Sequence, residues 1–522
     1  MNFESKSSVT IMGEQDQSPE SSCDDGNSDG QILENSPQKT KKIDRISELP
    51  DSLIVQILSL IPITDACRTT ILSKRWENLW TSIDNVIYEN EVKYNCSDSL
   101  TVHKFISFTD NVLPLLSRSS IKKFSLDFAF DYDYGVSYSH KIDKWLEFAL
   151  NKKVEDLYLN ICYTDEPSED DQPYSLSQVL CGNSSILKLD CRNCRISEDC
   201  VLNWTSLKSL TLGYLFLQDE HIEQIMSNCP QLESLKLCGF CGLNRLHISS
   251  PKCRQLQLID HDHPVGDWGS VEGDCRFEIV APYVQYLEIS GDFNHMEIRL
   301  RDLSSLVHTD LTFCRDEYGV PDQTIVKDLF LGVRCANELM VSSWFIKVIS
   351  DLLFEEDGVS LPLLECKCLT ISSRITKFCF PGIDGLLRST PYLENLMIYP
   401  DRPYCKCFLD EAVTLWGLNY LSSQENIFKV FLQNLKNVKV SSNCCSCLDR
   451  ADTTELLTEF LKSLLEHAKN LEKLVIAPVH EGCNISSTNI SKVIKNLLAF
   501  PGASNNAVVS LGSVSGVDFP GE

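Results

Sequence analysis

Residues 44–80 read DRISELPDSLIVQILSLIPITDACRTTILSKRWENLW. Their apolar residues recur at helical spacing, with Leu53, Ile54, Ile57, Leu58 and Ile61 forming one broad stripe. Pro50 and Asp51 suit the first turn of that helix, where proline costs no hydrogen bond and aspartate accepts from free N–H groups. Pro62 ends it, and Thr64 starts a second helix carrying Ala66, Cys67, Thr70, Ile71 and Leu72. Ser73 caps a third turn, which sets Trp76 and Trp80 on one face, four residues apart. Three helices this short bury only a small core among themselves, because about 40 residues is near the lower limit for independent folding. Their remaining apolar surface needs a partner.

Outside this stretch, composition sets the bounds. The chain has 522 residues, room for several domains or one elongated repeat array, and 43% hydrophobic residues supply a core. A formal net charge of −26 argues against nucleic acid or an anionic membrane surface as partner, since both need basic surface. No uninterrupted apolar run reaches the ~18 residues of a membrane span, and the N-terminus lacks the basic and apolar regions of a secretory signal. The 24 cysteines are therefore expected as reduced thiols serving as small hydrophobes. Residues 1–42 hold eight acidic and one basic side chain through Gln38 and read as a disordered acidic tail. Lys39-Thr40-Lys41-Lys42 reads as a solvated charge run, with a nuclear-localisation patch as the alternative. The tail from 500 to 522 reads as flexible.

Between these ends the chain repeats one design. Residues 102–112 and 141–150 are helical in period, and each is followed by a strand-like run, at 121–128 and 154–159. Leucine pairs separated by one residue then return as Leu187-x-Leu189, Leu210-x-Leu212, Leu235-x-Leu237, Leu256-x-Leu258, Leu287-x-Ile289, Leu369-x-Ile371, Leu396-x-Ile398, Val438-x-Val440 and Leu474-x-Ile476. Residues 221–237 and 384–398 show the unit most clearly as a short helix, a turn and a strand. One unit cannot bury its leucines alone, so stacked neighbours build a continuous core with a concave parallel sheet and outer helices. The expected fold is thus α/β: short N-terminal helices followed by a solenoid.

Two resemblances sharpen this reading. The order Asp44-Arg45-Ile46, Leu49-Pro50-Asp51, Leu53 to Leu60, Ile61-Pro62-Ile63, and Leu72-Ser73-Lys74-Arg75-Trp76 with Leu79-Trp80 resembles the plant F-box, placed here at residues 43–82. Cys67 and Ile71 depart mildly from its pattern. The leucine pairs over residues 100–424 resemble the leucine-rich repeats that follow plant F-boxes. In residues 425–480, Leu435 to Val440, Leu464 to Ala468 and Leu471 to Leu474 resemble the FBD domain found at the C-terminus of many such proteins. Here Asn443 to Cys447 replaces the family's Gly- and Phe-containing loop.

The F-box resemblance implies a non-catalytic, substrate-recruiting subunit of an SCF (cullin-RING) ubiquitin ligase in the nucleus and/or cytoplasm. It would dock on a Skp-type adaptor and bind an unidentified target protein, with no cofactor. The adaptor contacts it implies are Leu49, Pro50, Leu53, Ile54, Ile57, Leu58, Cys67, Leu72, Trp76 and Trp80, some of which must also form the small internal core. Polar positions flanking the leucine pairs, such as Lys188, Asp190, Ser234, Lys236, Gln255 and Gln257, would face the target. A repeat scaffold that assembles no ligase is the main alternative. A small-ligand receptor is a third reading, disfavoured by the acidic chain.

Other candidate chemistry is weak. Cys191/Cys194 and Cys238/Cys241 are too far apart in sequence for one zinc site, and Cys405, Cys407, Cys444 and Cys447 form only a nominal set. Residues 260–263 (DHDH), 165–171 and 355–357 read as loop surface, because consecutive side chains diverge and EF-hand spacing is absent. No phosphate loop, nucleophile elbow or HExxH pair occurs, so no catalytic residue and no metal site are assigned.

Overall fold

The computed structural model describes residues 46, 48–89, 99–130, 138–163, 173–197, 199–260, 275–293, 296–314, 323–355, 361–373, 379–399, 432–442, 451–478, 488–499 and 508–511. The chain divides after Pro50 into two units. Of the first, the described part is a turn closed by the Leu49 N–H donating to the Ile46 carbonyl at 3.2 Å.

The second unit opens with α1 (Asp51–Leu58) and α2 (Ile63–Arg68). Strands β1 (Asn85–Glu89), β2 (Lys123–Phe130), β3 (Asp156–Tyr163), β4 (Lys188–Arg192), β5 (Ser209–Phe216) and β6 (Ser234–Cys241) follow. Between them lie α3 (Ser99–Val112), α4 (Ser139–Asn151), α5 (Gln178–Cys181) and α6 (Asp219–Asn228). Next come β7 (Arg245–His247), β8 (Gln255–Asp260), β9 (Cys275–Val280), β10 (Tyr286–Asp292), β11 (Met296–Arg301) and β12 (His308–Cys314). The C-terminal part adds β13 (Glu338–Ser342), β14 (Cys368–Ser372), β15 (Asn395–Tyr399), β16 (Asn437–Ser442), β17 (Lys473–Pro478) and β18 (Val508–Leu511). Its helices are α7 (Gln323–Gly332), α8 (Ser343–Glu355), α9 (Phe380–Ser389), α10 (Ala451–His467) and α11 (Thr488–Leu498).

Among the described residues, fifteen strands pair in chain order into one parallel sheet, while β7, β9 and β11 leave it to form a second parallel sheet ordered β11-β9-β7. Parallel neighbours need a crossover between them, so a sheet in unbroken chain order is a coil, the solenoid expected from the leucine pairs. Strands β16 and β17 continue the same ladder as the rest.

Register shows why the pairs repeat. Leu210 and Leu212 oppose Leu235 and Leu237, which oppose Leu256 and Leu258, then Leu287 and Ile289. The wide interval after Ile289 is bridged by two pairs that a leucine pattern hides: Thr309 with Leu311, and Leu339 with Val341. One expected pair is out of step. Leu189 and Cys191 oppose Leu210 and Leu212, so Leu187-x-Leu189 is not the ladder pair, and Leu187 sits half-buried just before β4. A cysteine, a smaller buried hydrophobe, has taken the leucine site.

Helices pack on the leucine side. Phe128 of β2 stacks on Phe105 of α3 with centroids 5.2 Å apart, and Trp145 of α4 meets both edge-on at 5.8 and 6.0 Å. The Trp145 indole donates to Asp110 Oδ1 at 2.9 Å, and Lys141 pairs with the other oxygen. Just after β4 and within β5 and β6 the backbone takes a left-handed residue at the same place in each repeat: Asn193, Tyr214 and Gly239. At Gly239 a Cβ would fall 2.7 Å from the Tyr214 ring, so glycine is required there for space as well as for φ.

Thr309 occupies a leucine position with its side chain fully buried and its hydroxyl lacking a partner among the described residues. A hydroxyl removed from water without compensation costs about 1–3 kcal/mol. The Thr309→Val variant, nearly isosteric, is expected to raise stability by about 1 kcal/mol, read as a higher urea midpoint at unchanged m-value.

The cysteines behave largely as hydrophobes. Burial raises the thiol pKa of Cys191, Cys194 and Cys238. One pair departs from the expectation of reduced thiols: Cys181 and Cys200, both buried, are joined sulfur to sulfur with Cα atoms 6.8 Å apart. Cys405, Cys407, Cys444, Cys447 and the 165–171 cluster lie outside the described residues, as do residues 261–263 of the DHDH run. No helix among the described residues is long and apolar enough to cross a membrane.

Candidate functional site

Local structure at residues 51–83 departs from three regular helices. The first helix ends at Leu58, three residues before the last apolar position at Ile61, where the Ser59 hydroxyl donates to the Val55 carbonyl at 2.8 Å and accepts from the Asp84 N–H at 3.1 Å. The second begins at Ile63 and tightens into a 3-10 turn over Thr69–Ile71. In place of a third helix come turns and a 3-10 segment, Leu79–Ser82. The Trp80 indole donates to the Glu77 carbonyl at 3.1 Å, satisfying the one polar atom of a ring that is otherwise buried.

Burial separates the apolar residues into two sets. Ile54, Leu58, Trp76 and Trp80 are at most 7% exposed and, with Val55, Ile63, Ala66 and Ile83, belong to the internal core. Their place in the bundle, rather than on its surface, follows from size: two indoles fill the space that three short helical turns leave between them. Cys67 is half-buried, its thiol pKa pushed up to about 11 by burial. The second set faces water. Leu53 and Ile57 are 43% and 47% exposed on α1, and Leu72 is 62% exposed. Leu60 at 75% and Ile71 at 86% join them, two residues outside the expected contact set. Leu49, half-buried, and Pro50, exposed, belong to the first unit.

An ion pair ties the segment after the 3-10 turn to the helix start. Arg75 contacts Asp51 Oδ1 through Nε at 2.8 Å and Nη2 at 2.6 Å. Exposed pairs of this kind contribute about 1 kcal/mol or less, so its effect is to orient the segment.

The six polar candidates lie together on the other face of the sheet in two rows. Lys188, Ser234 and Gln255 share one register row, through Ser209. Asp190, Lys236 and Gln257 share the next, through Thr211. Asp190 is held by Arg192 at 2.9 Å, and Gln257 donates to Glu288 Oε2 at 2.7 Å. The rows continue into residues outside the expected set: Tyr286, His308 and Glu338 in the first, Glu288, Asp310 and Met340 in the second. Tyr286 stacks on His308 at 4.8 Å, and His308 Nδ1 lies 3.0 Å from Glu338.

Asp310 is the electrostatic outlier of this face. Burial raises its carboxyl pKa to about 6 against the opposing effect of the Thr312 hydroxyl; Glu288 adds to the rise and His308 opposes it. Oδ1 is buried without a partner among the described residues. Ionising it therefore costs folding energy. Stability is complete below about pH 4 and declines as pH rises through 6, by at most about 3 kcal/mol. The Asp310→Asn variant is expected to melt higher than wild type at neutral pH and equally at pH near 4, checked by thermal scans across that range.

The F-box domain model matches residues 46–88, and a model described as the repeats of an FBD-associated F-box protein, At5g56370, matches residues 142–269. The chain thus joins an F-box to leucine-rich repeats, as plant F-box/leucine-rich-repeat proteins do. In Arabidopsis thaliana it is 27% identical over 465 residues to F-box/LRR-repeat protein At3g03360, covering 84% of this chain and 88% of the relative. It is also 27% identical over 444 residues to F-box/LRR-repeat protein At5g02910 (83% and 88%), and 24% over 485 residues to F-box/LRR-repeat protein 13 (90% and 96%). The F-box model covers residues 46–88, and an F-box is the element that F-box proteins offer to Skp-type adaptors.

Proposed function

We propose that this F-box/leucine-rich-repeat chain is the substrate-recruiting subunit of an SCF-type cullin-RING ubiquitin ligase, acting in the nucleus and/or cytoplasm. Leu53, Ile57, Leu60, Ile71 and Leu72 would dock on a Skp-type adaptor, and the polar rows of the long sheet would hold the target protein. The observation that carries this reading is that five large apolar side chains within residues 53–72 are left 43–86% exposed on a bundle whose tryptophans are buried. Exposed apolar side chains concentrated in one short segment mark an interaction site, and an amphipathic helix laid into an apolar groove is one such mode.

The mechanism is positional. The chain itself transfers nothing: it holds target lysines near a ubiquitin-charged enzyme, which raises their effective concentration. A continuous parallel sheet suits this, because packed repeats transmit position without a flexible joint.

The reading is tested by co-expressing the full chain with a Skp-type adaptor and a cullin and isolating the chain by affinity tag. Both partners in one complex support the ligase reading. Adaptor without cullin, from folded protein, favours the scaffold that assembles no ligase.

A further inference from the structure

The small second sheet carries a charge pattern opposite to that of the chain as a whole. Its strands alternate regularly. Leu246 of β7, Phe277 and Ile279 of β9, and Ile298 and Leu300 of β11 are buried, which turns Arg245, His247, Arg276, Glu278, Glu297, Arg299 and Arg301 to the other face. That face holds four arginines and two glutamates on a chain of net charge −26.

Each carboxylate is shared between two guanidiniums. Glu278 lies 3.4 Å from Arg245 and 3.9 Å from Arg301, while Glu297 lies 3.4 Å from Arg276 and 2.6 Å from Arg299. Two positive charges are left over on the face itself, with Asp328 of α7 acting on Arg299 from the side. The side chains of Arg245, Arg276 and Arg301 remain 56%, 73% and 56% exposed. The flanks are taken: Asp219 of α6 accepts from the Asn244 and Arg245 N–H groups, and α7 packs against β11. A partner must therefore meet the face through side chains.

We propose that this face, through Arg245, Arg276, Arg299 and Arg301, docks a short acidic segment of a partner protein, a run of consecutive Asp and Glu side chains. The assignment rests on charge complementarity and size. Three strands at ~4.8 Å spacing make a face about 10 Å across, which about three to four extended residues span. A nucleic acid would carry its phosphates off that face and onto a chain of net charge −26, so a short run of carboxylates is the better fit. The proposal is independent of adaptor docking, which uses residues of α1 and the turns after it.

The test is fluorescence anisotropy of a labelled hexaglutamate peptide with the full-length chain, co-purified with its adaptor where the two associate. Wild type is compared with an Arg276→Glu, Arg301→Glu double variant, and with a Lys122→Glu, Lys208→Glu control that makes the same change in net charge elsewhere. Expected are binding at ~50 mM salt that weakens steeply toward ~300 mM, retention in the control, and at least about tenfold loss in the arginine variant. If the double variant misfolds, Arg276→Gln, a change at a 73% exposed side chain, should still weaken binding about threefold. No binding to folded wild type, or equal loss in control and arginine variant, overturns the proposal and leaves the face a surface ion-pair network.

Discussion

Replacing Leu53 and Ile57 together by aspartate is expected to abolish the complex with a Skp-type adaptor while leaving the repeats folded. Each side chain is roughly half exposed in the free chain, so covering it yields on the order of 1–1.5 kcal/mol. Aspartate loses that gain and adds a carboxylate that must leave water at an apolar contact, at a further cost of several kcal/mol. Together these exceed about 4 kcal/mol, a loss of about a thousandfold or more in affinity. The variant should fold, because α1 buries Ile54, Val55 and Leu58 instead, and neither substituted position reaches the core. The check is gel filtration of co-expressed proteins, with circular dichroism to show an unchanged melting profile. Leu60→Asp with Ile71→Asp should act in the same direction, since both side chains are more exposed than Leu53.

The second large effect is on stability. Trp145→Ala should destabilise the chain by about 3–5 kcal/mol. Trp145 is 1% exposed and fills the space between α3, α4 and β2, edge-on to Phe105 and Phe128. Its loss opens a cavity that three rigid elements cannot collapse, and it strips a hydrogen bond from Asp110. Burial works to raise the pKa of that carboxyl, but hydrogen bonds from Lys141 and Trp145 outweigh it and hold the group below its ordinary range. Trp145→Phe should recover most of the packing and still lose the indole bond, costing about 1–2 kcal/mol. Chemical denaturation of both variants separates the cavity from the hydrogen bond.

How much of this was legible depends on what each residue reports. Leucine pairs locate strands well, because a parallel sheet demands a large aliphatic side chain at the same two positions of every unit. Where another residue fills the position the pattern fails: Cys191 shifted the apparent pair by two residues, and Thr309 concealed a strand altogether. The three-stranded side sheet went unread although β11 carries an aliphatic pair of the same form, Ile298-x-Leu300. Its register depends on β7, only three residues long, and on pairing that skips over β8 and β10. At the docking site, periodicity marks which residues are apolar but cannot say which the bundle consumes. Ile54 and Ile57 look alike in sequence, and only the packing of Trp76 and Trp80 decides that the first is core and the second is surface. Leu60 and Ile71 were apolar in the pattern but outside the expected contact set; Leu60 lies beyond the end of α1, and Ile71 closes the 3-10 turn.

The most direct test of the account is amide hydrogen exchange of the full chain alone and bound to a Skp-type adaptor. Protection on binding should fall on residues 51–82, strongest in α1 and the turn around Ile71 and Leu72, with the strands from β4 to β15 unchanged and free for a target. Protection spread over the long sheet, or none in α1 when a complex has formed, would contradict it.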